Sequence, residues 1–460
     1  MTLAPVRAAW WSRAATAVVL LLVAAGCTVV RTAPEPLQPR VTTGPPPSPQ
    51  PPVEPRAETS APLPVEPPQE GFDPVRRFDE VRALWVVRYT MTSAEAIRAM
   101  IRDAETAGIN TLIVQVRGRA DAFYRSNIEP RGESIVEGPD FDPLALTIAE
   151  AHARGMAVHA WVNTHLVWGP AALPLSREHL VNAHPDWLAV PRALGVDLAG
   201  VDPFDRRFVE RLVRWAEENP ATVEGLYSSP SHPEVQDRVH AVWLDLATRY
   251  DLDGIHFDYI RFPSAQYDYS VGALERFRLW SREKLPEARW VELDAAYEDD
   301  LFGFVDGESA LWAEFRREQV TRLVSRIRTD VKLLRPRLVV SAAVIADPDV
   351  AWSDRFQDWR AWLRDGLIDI AVPMAYTSDA TRFEALVRAA REAAGTPERI
   401  WAGIGAYMNP AEGTLGMIDI ARAEGAGGVV LFSYDWAAGE GQGDPTDPLL
   451  RRIGRARFGR

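Results

Sequence analysis

Residues 253 to 263 read DGIHFDYIRFP, an apolar run that carries a charged side chain, Asp258, near its far end. Side chains alternate between the two faces of a β-strand. Ile255 and Phe257 therefore share one face, and His256 and Asp258 share the other. This pattern predicts a strand whose apolar face packs on helices and whose mixed face lines an interior.

Seven further apolar runs of this kind occur along the chain, and amphipathic helical stretches stand between most of them. The eight predicted strands span residues 83–88, 110–117, 156–163, 254–260, 338–345, 368–376, 399–407 and 427–434. Eight strands alternating with helices predict an α/β fold, a (β/α)8 barrel of the TIM type. An open doubly wound sheet is the alternative, but the first βα turn lacks the G-x-G-x-x-G motif of its dinucleotide-binding form.

The N-terminal region has the layout of a secretory signal peptide, with a basic start and the apolar run AATAVVLLLVAAGC ending at Cys27. The last four residues of this run, AAGC, resemble the lipobox of bacterial lipoproteins. That resemblance implies removal of residues 1–26 and lipidation of Cys27. Thr28, where an inner-membrane retention signal usually has Asp, implies the outer membrane. An ordinary secretory signal with an incidental cysteine is the alternative.

Residues 27–77 are predicted to be a linker, because the Pro-rich and aromatic-free stretch within them favours an extended, semi-rigid chain. The barrel is predicted to span residues 78–440 and a C-terminal tail residues 441–460. The segment after the third strand is longer than one helix requires. Within it WLAVPRALGVDLAG (187–200) is interpreted as an inserted hairpin.

Charge and composition limit the partners of the protein. The formal net charge of -13 provides no basic face for phosphates, so nucleic acid is not expected as the main partner. The chain has no H-E-x-x-H motif and no tightly spaced carboxylate–histidine cluster, so neither a metal nor another cofactor is implied. His159 and His256 fall on inward faces and are interpreted as hydrogen-bonded core histidines.

Polar side chains converge at the C-terminal ends of the first four predicted strands. Gln115, Arg117, Asn163 and Asp258 fall on inward faces at or near those ends, and Arg88 ends the first strand. Barrel enzymes carry their active sites at the C-terminal mouth. The convergence therefore predicts a functional site there.

The ordered motifs of the chain resemble the glycosyl hydrolase-like 10 family. They are RALWVVR, QVRGRADAFYRS, FDPLALTIAEAHARGMAVHAWVN, YDLDGIHFDYIRFP, QDWRAWLRDGLIDIAVPMAYT and GGVVLFSY. The resemblance implies a bacterial (β/α)8 barrel, often a lipoprotein, that hydrolyses glycosidic bonds. Some members are implicated in cutting peptidoglycan glycan strands stripped of their stem peptides. The motif positions typical of the family fall on Arg117, Asp121, Asn163, Asp258, Arg261 and Tyr376. This chain reads PMAY where many relatives have Gln after the Pro, so the resemblance does not imply for this chain any sugar contact made through that Gln.

Glycosidic cleavage uses two carboxyl groups. Asp258 is the first candidate, and a neighbouring Arg261 or Arg117 is expected to keep it ionised, as suits a nucleophile or base. Asp121 is the predicted partner, with Asp435 and then Glu133 as alternatives. The predicted substrate-binding residues are Arg88, Gln115, Arg117, Trp161, Asn163, Arg261 and Tyr376, of which Trp161 and Tyr376 offer aromatic faces to sugar rings.

Three functions are consistent with the sequence. The leading hypothesis is a lipid-anchored glycoside hydrolase that acts on cell-envelope polysaccharide. The second is a non-catalytic glycan-binding lipoprotein on the same barrel. A metal-dependent deacetylase is the third, and the missing ligand spacing disfavours it.

Overall fold

A computed structural model describes residues 78–169, 172–439 and 447–459. The predicted signal peptide, Cys27 and the whole predicted linker (27–77) lie outside the described residues and stay predictions. Within the described ranges, none of the helices combines the length and the apolar character needed to span a bilayer.

Eight parallel strands form one sheet, and each lies at its predicted position. The strands in chain order are β1 (Val81–Val86), β2 (Thr111–Arg117), β3 (Ala157–Asn163), β4 (Leu166–Trp168), β5 (Leu226–Tyr227), β6 (Gly254–Asp258), β7 (Val339–Val344), β8 (Ile370–Pro373), β9 (Trp401–Gly405) and β10 (Gly428–Phe432). The barrel order is β8-β7-β6-β3-β2-β1-β10-β9, and β4 and β5 form a separate antiparallel pair. Two isolated bridges, Ala371–Ile400 and Met374–Gly403, link β8 to β9, so the barrel is nearly closed. The predicted fold is confirmed.

Helices surround the strands and fill the long connections. In chain order they are α1 (Ala94–Thr106), α2 (Pro143–His152), α3 (Leu180–Ala183), α4 (Arg192–Ala199), α5 (Arg206–Glu218), α6 (Pro233–Arg249), α7 (Val271–Ser281), α8 (Glu287–Asp299), α9 (Gly303–Gly307), α10 (Ser309–Leu334), α11 (Pro348–Ser353), α12 (Trp359–Arg364), α13 (Ala380–Ala394), α14 (Ala411–Ala423), α15 (Tyr434–Ala438) and α16 (Leu449–Arg457). Ser93, Asp142 and Ser270 accept backbone N–H bonds at the starts of α1, α2 and α7, which satisfies donors that a helix start leaves unpaired.

Alternation along the strands separates two apolar cores. Strand residues of one parity pack with the helices in the outer core; from β3 and β6 these are Val158, Ala160, Val162, Ile255 and Phe257. Residues of the other parity fill the barrel interior; among these are Trp85, Ile113, Trp161, Trp401 and Val430. The predicted assignment of strand faces is confirmed.

The interior contains a buried polar chain that includes His256. The Trp85 indole N–H donates to His256 Nε2 at 3.2 Å, and His256 Nδ1 lies 2.9 Å from Ser341 Oγ. Ser341 Oγ in turn donates to the Ile255 carbonyl oxygen at 3.1 Å, so His256 Nδ1 carries the proton. Burial lowers the pKa of His256 well below its ordinary value, which keeps the ring neutral. The prediction of a hydrogen-bonded core histidine is confirmed.

The hairpin interpretation of residues 187–200 is wrong. A helix, α4, occupies most of this stretch, and the antiparallel pair in the insertion is formed by β4 and β5 instead. Leu194 and Leu198 lie four residues apart and both pack into the core, which is helical spacing. Pro191 directly precedes the helix, a position where its missing N–H costs nothing.

The described part of the predicted C-terminal tail is mostly helical and packs on the barrel. Helix α16 buries Leu449, Leu450 and Ile453 in the outer core. The Arg457 guanidinium pairs with Asp419 on α14 at 2.7 Å. The described end of the chain therefore belongs to the helical ring.

Gly254 provides a test of interior packing. A Cβ built at Gly254 meets the His159 ring at 2.5 Å, so Gly254→Ala overpacks the barrel. We expect the free energy of unfolding to fall by about 1–3 kcal/mol, measured as a lower denaturant midpoint at unchanged slope. The matched variant Gly138→Ala, whose Cβ meets nothing within 4 Å, is expected to stay near wild type. Equal effects at the two sites would contradict this account of the interior.

Candidate active site

Asp258 ends β6 with its carboxyl group held at the C-terminal mouth of the barrel. Its Oδ1 accepts the Tyr259 backbone N–H at 2.7 Å and an Arg261 N–H at 3.2 Å. Tyr259 has a φ of 49°, a left-handed conformation that turns the chain sharply after the strand. The Arg261 guanidinium lies 4.3 Å from the centre of the Tyr259 ring, so the turn and the ion pair support each other.

The pKa of Asp258 is raised, not lowered. Burial is the main cause, and Arg261 and the Tyr259 N–H offset it only in part. The carboxylate of Glu224 raises the pKa of Asp258 further. The expectation that a neighbouring arginine holds Asp258 ionised is therefore wrong for the net shift, because desolvation outweighs the ion pair. A raised pKa suits a proton donor.

Arg88, Gln115, Asn163 and Trp161 are brought together in one hydrogen-bonded network, as their positions at strand ends predicted. Arg88 donates to Gln115 Oε1 at 3.3 Å, and Gln115 Nε2 donates to Asn163 Oδ1 at 3.3 Å. The Trp161 indole N–H donates to the same Asn163 oxygen at 2.8 Å. Burial and then Arg119 lower the pKa of Arg88. The network fixes the amides of the mouth in one orientation.

Arg117 is buried in an ion-pair cluster with Glu129 and Arg238. The Arg117 Nε donates to Glu129 at 2.9 Å, and Arg238 pairs with the second oxygen of Glu129 at 3.0 Å. Arg117 also donates to the backbone carbonyls of Asn163 and Thr164. Its side chain is 1% exposed, so the geometry favours support of the β2 and β3 ends over sugar contact.

Aromatic rings form a wall on the β8, β9 and β10 side of the mouth. Half-buried Tyr376 lies 5.6 Å from Phe432 and 6.1 Å from Tyr407, ring centre to ring centre. Trp161 is 3% exposed and lies behind Phe432, whereas Tyr376 keeps an accessible face. Sequence reasoning missed Tyr407 and Phe432, although Tyr407 ends a predicted strand as Tyr376 does and Phe432 lies near the end of another.

The three predicted partner carboxylates hold loops together. Asp121 Oδ1 accepts the N–H of Gly118 at 3.3 Å and of Arg119 at 2.7 Å. Glu133 accepts the N–H of Leu175 at 2.7 Å. Each of these bonds can be explained by loop structure alone.

Asp435 is engaged in the same way, because it accepts the Thr90 hydroxyl at 2.8 Å. Glu224, which the strand pattern did not indicate, lies in the insertion just before the two-residue strand β5. A strand this short gives no parity signal in sequence, which explains why Glu224 was missed.

A comparison with protein families identifies the chain. Residues 80–412 match the glycosyl hydrolase-like 10 family. The chain belongs to that family. Glycosyl hydrolase YngK of Bacillus subtilis is 26% identical over 300 residues, which is 61% of this chain and 48% of YngK. Glycosyl hydrolase DigH of Escherichia coli K12 is 25% identical over 323 residues, 65% of this chain and 63% of DigH. The matched region thus covers about half of the length of YngK and just under two thirds of the length of DigH.

Solved structures share the barrel of this glycosyl hydrolase-like 10 protein. The glycoside hydrolase domain of PgaB (BpsB) from Bordetella bronchiseptica aligns with a TM-score of 0.54 at 14% identity, covering 77% of this chain and 94% of that domain. Gan42B, a GH42 β-galactosidase from G. stearothermophilus, gives a TM-score of 0.54 at 15% identity over 83% of this chain and 57% of its own. At these identities the likeness shows the fold alone.

The Glu129 cluster generates a stability test. Glu129→Gln removes one partner and leaves Arg117 buried without its counter-charge, at an expected cost of about 3–5 kcal/mol in unfolding free energy. Glu287→Gln is the matched control, since Glu287 and Arg282 form an ion pair whose side chains are more than half exposed. An exposed pair contributes only about 0–1 kcal/mol. Denaturant unfolding of both variants measures the difference, and a similar small loss in each would show that the cluster is dispensable.

Proposed function

We propose that this chain is a glycoside hydrolase that cuts cell-envelope polysaccharide, with peptidoglycan glycan strands lacking stem peptides as its substrate. The observation that carries the proposal is Asp258, a buried carboxyl with a raised pKa at the mouth of a glycosyl hydrolase-like barrel. A buried carboxyl group whose neutral form is favoured in this way can donate a proton to the oxygen of a leaving sugar.

The surroundings of Asp258 support glycan binding at the same mouth. Tyr376, Phe432 and Tyr407 offer aromatic surface on which a sugar ring can stack. Arg88 is only half-buried and offers N–H donors for hydroxyl and acetamido groups, while the buried amides of Gln115 and Asn163 hold it in place. Arg261 touches Asp258 directly and is proposed to orient its carboxyl group.

Location at the cell envelope follows from the N-terminal sequence. We infer that the chain is exported, cleaved before Cys27 and held by lipid at the outer membrane, facing the periplasm. The Pro-rich linker gives the barrel reach towards the peptidoglycan layer. This anchor is the proposed membrane partner of the protein.

A non-catalytic glycan-binding protein is the second candidate. The observation in its favour is that all three candidate partners already accept hydrogen bonds: Asp121 from its own loop, and Glu133 and Asp435 from other segments of the chain. Cleavage requires a second carboxyl group that is free to act on the anomeric carbon or on water. Without one, the same mouth would bind glycan and release it unchanged.

Asp258→Asn separates the two candidates. We expect loss of reducing-end release from amidase-stripped glycan strands by about 10²–10⁴-fold, while strand binding in a pull-down persists. Asp251→Asn, an exposed residue before the N-terminal end of the same strand, is the matched control. Equal turnover by wild type and Asp258→Asn would overturn the enzyme proposal, as would inactivity of both.

The pH profile gives a further prediction. Because Asp258 must be protonated to act as an acid and its pKa lies above the ordinary value of about 3.9, the acid form persists to higher pH. The wild-type kcat should then fall as pH rises through that raised pKa. The residual activity of Asp258→Asn should lack this fall, and an unchanged profile in the variant would assign the fall to another group.

A further inference from the structure

Glu224 is held in place by the antiparallel pair β4 and β5, which lies in the insertion between β3 and β6. Gly225 has a φ of 155°, and a Cβ there would lie 2.0 Å from the Trp168 carbonyl oxygen. Only glycine fits so close to β4. The backbone that carries Glu224 is therefore pressed against a fixed strand.

Two tyrosine rings connect Glu224 to Asp258. The Tyr227 hydroxyl donates to Glu224 Oε2 at 2.7 Å, and the Tyr227 ring centre lies 6.0 Å from that of Tyr259. The Tyr259 backbone N–H donates to Asp258 Oδ1 at 2.7 Å. Tyr227 is only 2% exposed, so its ring is held by packing and its hydroxyl can orient the Glu224 carboxylate.

The two carboxyl groups occupy opposite environments. Asp258 is buried and Glu224 belongs to the exposed residues of the insertion. Burial is the main cause that raises the pKa of Asp258, and the Glu224 carboxylate adds to it. A buried carboxyl group that favours its neutral form, together with a carboxylate that solvent reaches, fits the division of roles between an acid and a base in glycoside hydrolysis.

We propose that Glu224 is the second carboxylate of the site and acts as the general base on water; this rests on the proposed glycoside hydrolase function. A water molecule gives a proton to Glu224 while its oxygen bonds the anomeric carbon. The glycosidic C–O bond breaks in the same step, and the leaving oxygen takes the proton of Asp258. Proton exchange with solvent then restores Asp258 and Glu224.

The placement favours a base over a nucleophile. Glu224 is reached by solvent, and the rings of Tyr227 and Tyr259 stand between the elements that carry the two carboxyl groups. Inverting enzymes leave about 6.5–9.5 Å between their carboxyl groups so that a water fits, whereas retaining enzymes leave about 5–5.5 Å. Because the proposed base acts on water and forms no covalent intermediate, the product should have the inverted anomeric configuration.

The test compares wild type with Glu224→Gln and Glu224→Ala on amidase-stripped glycan strands. We expect Glu224→Gln to lower kcat by about 10²–10⁴-fold with KM little changed. Glu217→Gln, an exposed residue on α5, is the control for charge loss in the insertion. Sodium azide added to Glu224→Ala should restore turnover and yield a glycosyl azide detectable by mass spectrometry.

The outcomes separate failure of this inference from failure of the proposed function. A wild type that releases no reducing ends from the strands overturns both. An active wild type with an inactive Asp258→Asn and a fully active Glu224→Gln overturns the role of Glu224 alone. Retention of configuration, read by NMR of the first product formed, also overturns the general-base role. Inversion together with azide rescue supports it.

Discussion

Alternation of side chains along eight parallel strands is the constraint on which the rest of this structure depends. It sends Val158, Ala160 and Val162 to the helices and Trp161 to the barrel interior within a single strand. The same alternation carries Asn163 to the mouth at the end of that strand. Core and site are thus two consequences of one periodicity, and a one-residue register change in β3 would disrupt both.

Desolvation decides the chemistry of the carboxyl groups around the mouth. Asp258 has an arginine partner and a backbone N–H donor, yet burial still favours its neutral form. Glu129 is as deeply buried but is shared by two guanidinium groups, Arg117 and Arg238. Two cations and no access to solvent make Glu129 a support for the loops after β2. One cation and a position at the mouth leave Asp258 available to exchange a proton.

The sequence was sufficient to predict the features that depend on local side-chain periodicity. It was not sufficient for features whose position is set by packing within the long connection between β3 and β6. All eight barrel strands, the inward faces of β2, β3 and β6 and the position of Asp258 follow from local patterns over four to seven residues. The helical spacing of Leu194 and Leu198 was present in the sequence, but a proline and short apolar runs favoured a hairpin interpretation. Glu224 had no local signal at all, since its place is set by the packing of Gly225 on β4. The net shift of the Asp258 pKa depends on burial, which no sequence spacing encodes.

Closure of the barrel between β1 and β10 has a consequence for how the chain is made. β1 is hydrogen-bonded on one side to β2 and on the other to β10. β1 begins at residue 81, and β10 begins 347 residues later and ends at Phe432. Until that last strand has been synthesised, one edge of β1 has no partner and exposes backbone groups to other chains. The sheet can therefore be completed only after the chain up to Phe432 has left the ribosome.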